Sequence, residues 1–335
     1  MHGWIIIDKP LGPGSTQIVT AVKRALRVGG YGKYKVGHGG TLDPLASGVL
    51  PIAIGEATKL SGRMLDADKA YDFRIGFGVQ TDTLDMEGVS IATSDVRPTM
   101  AEVEGVLARF TGPIDQVPPA YSALKIDGER AYDRARAGEV FEIATRAVVV
   151  HDLRVFPTPI PPLKVRGLQD TSAAESPSPS GEGLGVGHTI QSDVTARLES
   201  ITLTARVSKG TYIRSLARDI ALALGTVGHV TMLRRTKAGP FTLDRAISLD
   251  KLDELAKGQR LEEITLPLTA GLDDIPALSV TPDQAKALRE GRILVGIAAT
   301  TGLHLAIDGD IPVALVEAVD REIRVVRGFN MMSRE

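Results

Sequence analysis

The segment 37–48, near the start of the chain, constrains the fold more than any other stretch. It places four glycines, one histidine and one aspartate within twelve residues. Glycine adopts backbone angles and allows close approaches that other residues resist, and Pro44 biases Asp43 towards extended backbone and away from helix. The apolar run 49–54 follows and predicts a buried strand. We therefore predict a shaped loop, packed over this strand, that presents the Asp43 carboxylate at a fixed position.

The Asp43 loop alone leaves two interpretations open, because an aspartate before proline is more often a turn residue than a catalytic one. Composition narrows the possible chemistry. The chain contains no cysteine, which excludes disulfides, zinc ribbons, thiol nucleophiles and iron–sulfur clusters. Its six histidines show no HxxxH or HExxH spacing. We therefore expect no histidine-based metal site, although a magnesium site made of carboxylates alone stays open.

The length of 335 residues allows a large core and one or two domains. No apolar run approaches the roughly 18 residues that a membrane-spanning helix needs. The N-terminus also lacks the pattern of a signal peptide. We therefore expect a cytoplasmic protein that does not associate with a membrane.

Charge is distributed unevenly along the chain. The net charge is only −2, but residues 1–64 contain eight Lys or Arg and three Asp or Glu. Such an excess of cations is typical of a surface that binds nucleic acid, and equally of a solvated helix face. A nearly neutral protein can carry either of them.

Hydrophobic periodicity predicts alternating strands and helices. Strands are expected at 4–7, 49–54, 71–77, 147–155, 201–207 and 229–237. Helix N-caps are expected at Ser15, Thr99 and Ser248. Residues 81–88 superficially resemble a calcium loop but lack its twelve-residue ligand pattern, so we interpret them as a structured turn.

Two later segments depart from this periodic pattern. Residues 116–137 are rich in arginine, tyrosine and proline and too polar for a core, which predicts a projecting loop and short helix able to grip a polyanion. Residues 157–193 contain six Pro, five Gly and five Ser without a hydrophobic period. This composition predicts a disordered insertion at the tip of a hairpin, whose deletion should leave fold and activity intact.

Arg214 stands out among the charged residues. A helix is predicted from about residue 213 to Gly225, and Arg214 lies in its first turn. A cation at this position opposes the preference of the helix dipole for negative charge. We therefore expect a carboxylate from another part of the chain to hold Arg214.

Six separated segments resemble one family. They read DKP at 8–10, LDPLASG at 42–48, KAY at 69–71, YSALK at 121–125, SKGTYIR at 208–214 and LRR at 233–235. Their order and approximate spacing are similar to those of the TruB family of tRNA pseudouridine synthases. Each motif is weak alone, but six in register are highly specific. The resemblance covers nearly the whole chain except the insertion 157–193.

The resemblance implies three catalytic residues. Asp43 matches the catalytic aspartate of the family. Arg214 matches the arginine that pairs with this aspartate. Tyr71 matches the tyrosine that stacks on the target uracil and is implicated in the final proton abstraction.

It also implies a set of substrate-binding residues. Leu233 matches a leucine that packs against the bound base, and His38 matches a histidine that occupies the space left when the uridine flips out. Lys9 and Lys125 lie in two other matching segments, and we expect both to contact the substrate.

The implied fold is a mixed α/β (α+β) fold with a central antiparallel sheet. On this basis residues 1–270 form a pseudouridine synthase catalytic domain, in which 116–146 is a thumb-like RNA-binding segment and 157–193 is the insertion. Near residue 272 the sequence pattern starts again, with a helix after Thr281 and several short strands. We expect residues 272–331 to form a small β-rich, PUA-like RNA-binding domain.

The implied reaction converts uridine 55 in the T-arm of tRNA to pseudouridine, by flipping of the base and attack or proton abstraction by Asp43. This isomerisation needs no redox group or donor, so we expect no cofactor and no metal. We expect a monomer that acts on the T-arm stem-loop without an obligatory protein partner. Two alternatives stay open: a guide-RNA-dependent rRNA pseudouridine synthase, which the thumb-like segment 116–146 argues against, and a non-catalytic tRNA chaperone.

Overall fold

A computed structural model describes residues 1–122, 124–126, 128–139, 141–157 and 196–331. The predicted disordered insertion, 157–193, falls outside these ranges apart from its first residue. The strands on either side of it pair antiparallel, in the register Val155 to Leu203 and Leu153 to Ala205. The predicted hairpin is therefore confirmed for the residues that flank the insertion.

Nineteen strands lie in the described ranges. In the first half of the chain they are β1 (Gly3–Lys9), β2 (Val36–His38), β3 (Ala46–Ile54), β4 (Lys69–Phe77), β5 (Val79–Thr81), β6 (Ser90–Thr93), β7 (Gly112–Gln116), β8 (Lys125–Ile126), β9 (Glu129–Arg130) and β10 (Arg146–Val155). In the second half they are β11 (Ser200–Val207), β12 (Gly228–Ala238), β13 (Phe241–Thr242), β14 (Leu266–Pro267), β15 (Ala277–Ser279), β16 (Leu294–Val295), β17 (Gly302–Asp308), β18 (Ile311–Val319) and β19 (Glu322–Gly328).

Seven α-helices connect these strands in the described part of the chain. They are α1 (Ser15–Val28), α2 (Ser61–Asp66), α3 (Met100–Leu107), α4 (Ala131–Arg136), α5 (Ile213–Ala223), α6 (Leu249–Lys257) and α7 (Pro282–Arg289). None of them is long and apolar enough to cross a membrane.

The N-caps predicted at Thr99 and Ser248 are confirmed, since each side chain accepts a hydrogen bond from the first turn of its helix. The prediction for Ser15 was wrong, because Gly14 is the N-cap of α1. Ser15 is the first helical residue, and its hydroxyl exchanges two hydrogen bonds, of 2.8 and 3.1 Å, with the backbone of Leu42. The serine side chain therefore ties the helix to the Asp43 loop instead of capping the helix.

A ten-stranded sheet forms the centre of the molecule. Its main path runs β14–β1–β3–β12–β4–β11–β10–β7, with β2 added beside β3 and β13 beside β12. Every strand pairing of this sheet is antiparallel except β3 with β12, which is parallel. The predicted central antiparallel sheet is thus confirmed with one exception, and that exception places Leu233 beside both Ala46 and Phe73.

Two groups of helices cover one face of this sheet. Helices α1 and α6 pack on β1 and β3, with Ile18, Val22 and Leu252 fully buried. Helices α3 and α5 pack on β4 and β11 in a second cluster. The side chains of Tyr71 and Leu233 are half-buried and contact both clusters. They therefore mark the line where the two helical layers meet.

The opposite face of the sheet supports the C-terminal part of the chain. Five strands form a second sheet in the order β15–β17–β18–β19–β16, and α7 packs against it. Trp4 is fully buried and its indole nitrogen donates to the carbonyl of Leu268 at 3.1 Å. Phe329, Leu305 and Leu315 join Trp4 in one apolar cluster. The C-terminal region is therefore β-rich, as predicted, and its core is continuous with that of the central sheet.

Candidate active site

The Asp43 loop joins β2 to β3, so both of its ends are anchored in the central sheet. Gly40 and Gly48 have positive φ angles of 130° and 101°, which side chains rarely adopt. A Cβ atom at Gly48 would lie 2.1 Å from the carbonyl oxygen of Arg235. Glycine at this position therefore lets the start of β3 lie directly beside Arg235 of β12. The loop before β3 leaves the Asp43 side chain 44% exposed.

Arg214 holds the Asp43 carboxylate. Its Nη2 lies 3.0 Å from Oδ2 of Asp43, and its Nη1 lies 3.1 Å from Oδ2 of Asp85. The same two nitrogens donate to the backbone carbonyls of Tyr121, at 2.9 Å, and Thr83, at 2.8 Å. The arginine side chain is only 8% exposed. The expected carboxylate partner is therefore present, and a second carboxylate accompanies it.

A cavity of about 300 Å³ opens beside this ion pair. Asp43, Arg214, Tyr71 and Leu233 all contribute to its lining. Tyr212, which directly precedes α5, adds a second aromatic ring, and burial raises the pKa of its phenol. A compartment whose wall combines apolar and aromatic side chains with one carboxylate, Asp43, and three cations, Lys69, Arg214 and Arg235, can enclose a flat, polar-edged ring.

A second cavity, of about 440 Å³, shares Asp43 and Arg214 with the first. Its outer wall comes from the segment 116–146, which forms the β8–β9 hairpin and the helix α4. The guanidinium carbons of Arg130 and Arg136 lie 5.8 and 5.4 Å from the ring centre of Tyr132. The predicted loop and short helix are confirmed, and they present cations and an aromatic ring beside the Asp43 loop.

Comparison with known proteins agrees with this geometry. The model of the TruB family pseudouridylate synthase N-terminal domain matches residues 24–166. The model of the tRNA pseudouridylate synthase B C-terminal domain matches residues 214–273. Together these two ranges contain the Asp43 loop, Tyr71, Arg214 and Leu233.

Two curated relatives match almost from end to end. The tRNA pseudouridine synthase B of Novosphingobium aromaticivorans is 57% identical, over 99% of this chain and 98% of its own length. That of Zymomonas mobilis is 54% identical, over 98% of this chain and 96% of its own length. The chain belongs to the TruB family of pseudouridylate synthases. The assignment drawn from the six sequence motifs is therefore confirmed.

Solved structures show the same fold at low identity. A chain in the structure of an H/ACA RNP bound to a substrate RNA containing 2′-deoxyuridine aligns with a TM-score of 0.65 and 23% identity. The alignment covers 99% of this chain and 86% of that one. A chain of a Cbf5–Nop10–Gar1 complex aligns with a TM-score of 0.64 and 24% identity, over 98% of this chain and 84% of that one. The fold expected for a TruB protein is therefore confirmed.

The predicted site residues of this TruB protein fall into two groups. Asp43, Tyr71, Arg214 and Leu233 line one cavity, although they come from four different elements. The loop before β3 supplies the aspartate, β4 the tyrosine, α5 the arginine and β12 the leucine. Their convergence supports the predicted roles, which nevertheless stay predictions.

His38 and Lys125 lie outside the lining of the Asp43 cavity. His38 is on β2, opposite Ile52, and its Nδ1 is buried without a hydrogen-bond partner among the described residues. Burial lowers the pKa of His38, and the nearby Arg235 guanidinium lowers it further. Lys125 is exposed on the β8–β9 hairpin. Contact of either residue with RNA stays a prediction.

Lys9 needs a correction. The sequence predicts a substrate contact, but the structure buries Lys9 completely at the end of β1. Its Nζ donates to the carbonyls of Pro10, Pro44 and Ala46 at 2.9, 3.2 and 2.6 Å. All three ammonium protons are used in this way. Lys9 therefore supports the Asp43 loop from beneath, and the prediction missed this because composition cannot show which lysine is buried.

The support by Lys9 predicts a pH dependence. Burial lowers the pKa of Lys9 to about 8, with Asp43 opposing and Arg235 reinforcing the shift, whereas an unperturbed lysine titrates near about 10.4. A neutral amine donates only two hydrogen bonds, so raising the pH through about 8 releases one of these three carbonyls and weakens the support of the loop. We expect the single-turnover rate of pseudouridine formation to fall in this range.

The matched variant for this pH dependence is Lys9→Met, which keeps an unbranched side chain and removes the charge. We expect a rate about tenfold lower, from the loss of its three charge-assisted hydrogen bonds, and a shallower decrease between about pH 7 and 9.5. Part of the decrease should remain because Lys69 in the cavity wall, whose pKa burial also lowers to about 8, still titrates. A wild-type rate that stays constant through pH 9, or a variant that keeps the same decrease, would contradict the assignment.

Arg235 gives the Asp43 loop a second buried support. Its side chain is almost fully buried, and its three nitrogens donate to the carbonyls of Val49, Thr41 and Gly40 at 2.7, 3.2 and 3.2 Å. The sequence placed Arg235 in a matching motif but gave it no role. The signal that could have found it is its position two residues after Leu233, since side chains of residues i and i+2 lie on the same face of a strand.

Asp85 is the second residue that sequence reasoning missed. Its Oδ1 accepts hydrogen bonds from the Thr83 hydroxyl, at 2.6 Å, and the Glu87 amide, at 3.0 Å. Its other oxygen is thereby aimed at Arg214, and the side chain is only 9% exposed. The available signal is the set of three acidic residues within 82–87, a segment for which the sequence predicts only a structured turn. That turn is present, and it also carries the second carboxylate of the site.

Replacing Asp85 by asparagine tests this contact. We expect the rate at saturating substrate to fall at least about tenfold, because Arg214 loses a charge-assisted partner worth roughly 1.5–3 kcal/mol and no longer holds Asp43 in one orientation. The matched control is Asp72→Asn, whose carboxylate accepts from Thr204 on the sheet and does not contact Arg214. Equal rates for the two variants in single-turnover assays would refute a positioning role for Asp85.

Proposed function

We propose that the chain converts uridine 55 in the T-arm of tRNA to pseudouridine. Its TruB membership and the names of its relatives, tRNA pseudouridine synthase B, support a tRNA substrate. The observation that carries the mechanism is the 3.0 Å ion pair between Arg214 and Asp43 in the wall of a cavity of about 300 Å³. A fixed carboxylate thus lies next to a compartment large enough for a nucleobase.

The reaction requires an ionised carboxylate at one defined position. Pseudouridine formation breaks the bond from C1′ to N1, turns the uracil and forms a bond from C1′ to C5. Asp43 can attack C1′, attack C6 or abstract a sugar proton, and all three routes start from the carboxylate. The Arg214 guanidinium lies 3.0 Å from that carboxylate and fixes its direction.

The cavity gives the flipped base a binding site. Taking the uridine out of the stacked T-loop costs roughly a few kcal/mol. Stacking on the ring of Tyr71 returns about 1–3 kcal/mol, and Leu233 packs against the base from β12. Tyr71 takes part in the final proton abstraction, and His38 occupies the space left in the RNA. These roles follow the family resemblance and the shared cavity of Tyr71 and Leu233.

Two further regions are proposed to grip the RNA. Segment 116–146 acts as a thumb, because Arg130, Tyr132 and Arg136 offer guanidinium groups to phosphates and a ring to a base. The second sheet and α7, within 272–331, form a PUA-like RNA-binding domain attached to the catalytic domain 1–270. We propose that the protein acts as a monomer without an obligatory protein partner.

The decisive experiment incubates the purified chain with an unmodified T-arm stem-loop and maps pseudouridine in the RNA. We expect product at the position of uridine 55 without any added protein or guide RNA. A stem-loop with cytidine at that position serves as the matched negative substrate. No product without added components would overturn the proposal in favour of a guide-dependent enzyme or a tRNA chaperone.

A further inference from the structure

The helix that precedes the Asp43 loop lies in a stretch with an unusual charge pattern. Residues 10–42 contain five Lys or Arg and no Asp or Glu. The chain as a whole is slightly acidic, with a net charge of −2. The cations of this stretch are therefore not balanced by acids of the same segment, and α1 carries three of them.

The exposed residues of α1 form an ordered stripe. Thr16, Thr20, Lys23 and Arg27 are all exposed, and their spacing of i, i+4, i+7 and i+11 places them on one face of a helix. Among the described residues, Lys23 and Arg27 form no ion pair. The stripe thus combines two uncompensated cations with two threonine side chains over about 16 Å of helix, and the Thr20 hydroxyl already donates to the carbonyl of Thr16 at 3.1 Å.

Arg24 marks the lateral edge of the positive stripe on α1. Its guanidinium lies 3.1 Å from the carboxylate of Asp253 on α6, so this edge of α1 faces a neighbouring helix and is neutralised. The stripe lies roughly 70° around the helix from Arg24. Asp253 of α6 therefore compensates Arg24 and leaves the stripe positive.

The stripe is connected to the reaction centre. Ser15, at the start of α1, exchanges two hydrogen bonds with the backbone of Leu42, the residue before Asp43. Thr16, the first residue of the stripe, directly follows Ser15, so the stripe begins one residue from this contact and continues towards the C-terminal end of α1. Lys33 and Lys35 are exposed in the segment that returns from α1 to β2.

We propose that the stripe on α1 binds the phosphate backbone of the RNA stem that adjoins the flipped uridine. Hydroxyl groups, lysine and arginine are the side chains that contact phosphates, and they position a helix without reading its sequence. An RNA duplex is favoured over a single strand because the stripe is straight along the helix axis, and a duplex is a stiff helix with negative charge along its length. This inference rests on the proposed tRNA substrate and adds a second contact surface beside the thumb.

The test uses the full chain with Lys23→Ala and Arg27→Ala combined, and two T-arm substrates with a long and a short stem. For the long stem we expect KM to rise about tenfold near 0.15 M salt and the slope of log KM against log salt to fall by about 1.5, as expected for two lost phosphate contacts. The rate at saturating substrate should not change. For the short stem, KM should stay the same.

Arg24→Ala is the matched control, because it removes a cation from the same helix that already has a carboxylate partner. An unchanged KM for the long stem in the double variant would overturn the inference, as would an equal rise for both stems. Product formed at saturating RNA by both variants tests the proposed function separately. If the inference about the stripe is wrong, the protein still forms pseudouridine. If the proposed function is wrong, no product is formed with either stem.

Discussion

Asp43→Asn is expected to abolish pseudouridine formation while it leaves the affinity for tRNA within about twofold. Asparagine keeps the size of the side chain but can neither attack carbon nor accept a proton from the sugar. Affinity should persist because the side chain is 44% exposed and its charge is screened by water. The loss should therefore appear in the rate at saturating tRNA and not in the dissociation constant.

The measurement pairs a single-turnover assay with a filter-binding titration of the same preparation. Asp66→Asn is the matched control, since this exposed carboxylate pairs with Lys209 and does not line the Asp43 cavity. We expect the control to retain full activity. Residual turnover in Asp43→Asn above about one per cent of wild type would mean that another group reacts with the nucleotide.

Arg214→Gln is expected to produce the second largest loss, of about 10²–10³-fold in the rate at saturating tRNA. The variant removes both ion pairs and leaves the buried carboxylate of Asp85 unpaired, a change that typically costs about 3–5 kcal/mol when one partner of a buried pair is removed. It also frees the carbonyls of Thr83 and Tyr121. The Asp43 loop, the 81–88 turn and segment 116–146 would then lose their common anchor.

Arg218→Gln provides the control, because Arg218 lies one turn later on α5 and pairs with Asp219. Circular dichroism and the melting temperature would show whether Arg214→Gln still folds. Arg214→Lys, which can reach one carboxylate at a time, should recover part of the rate. If both variants fold and are equally inactive, catalysis requires a guanidinium group that contacts Asp43 and Asp85 at the same time. If both variants are fully active, these contacts have no catalytic role.

Much of the fold could be predicted from the sequence because the patterns that define its strands and helices lie within short segments. The alternating apolar residues of β11 and the capped start of α6 can be recognised within ten residues, and both are confirmed. The family resemblance supplied Asp43, Arg214, Tyr71 and Leu233, which local patterns could not connect, because the aspartate and the arginine are some 170 residues apart. The structure brings these four side chains to one cavity.

What escaped prediction depends on burial and on long-range pairing. Lysine is a residue type usually found at the protein surface. Lys9 is nevertheless buried, and its ammonium group donates to backbone carbonyls of the Asp43 loop. The turn that contains Asp85 also contains Asp82 and Glu87, and the sequence does not show which of the three carboxylates has a functional partner. In the structure Asp85 is the one that pairs with Arg214. Ser15 fits a helix N-cap by type, but its hydroxyl bonds to a distant backbone segment. In each case the partner that decides the role, Pro44 for Lys9, Arg214 for Asp85 and Leu42 for Ser15, is at least 27 positions away.

The placement of β12 has a consequence for biosynthesis. This strand lies between β3 and β4 in the sheet, although it follows β4 by some 150 residues along the chain. While the ribosome is still making residues before 228, the two halves of the sheet have no shared neighbour and Leu233 is missing from the cavity. Non-local pairing of this kind slows folding. The enzyme should therefore gain its reactive centre in a single late step, after most of the polypeptide has left the ribosome.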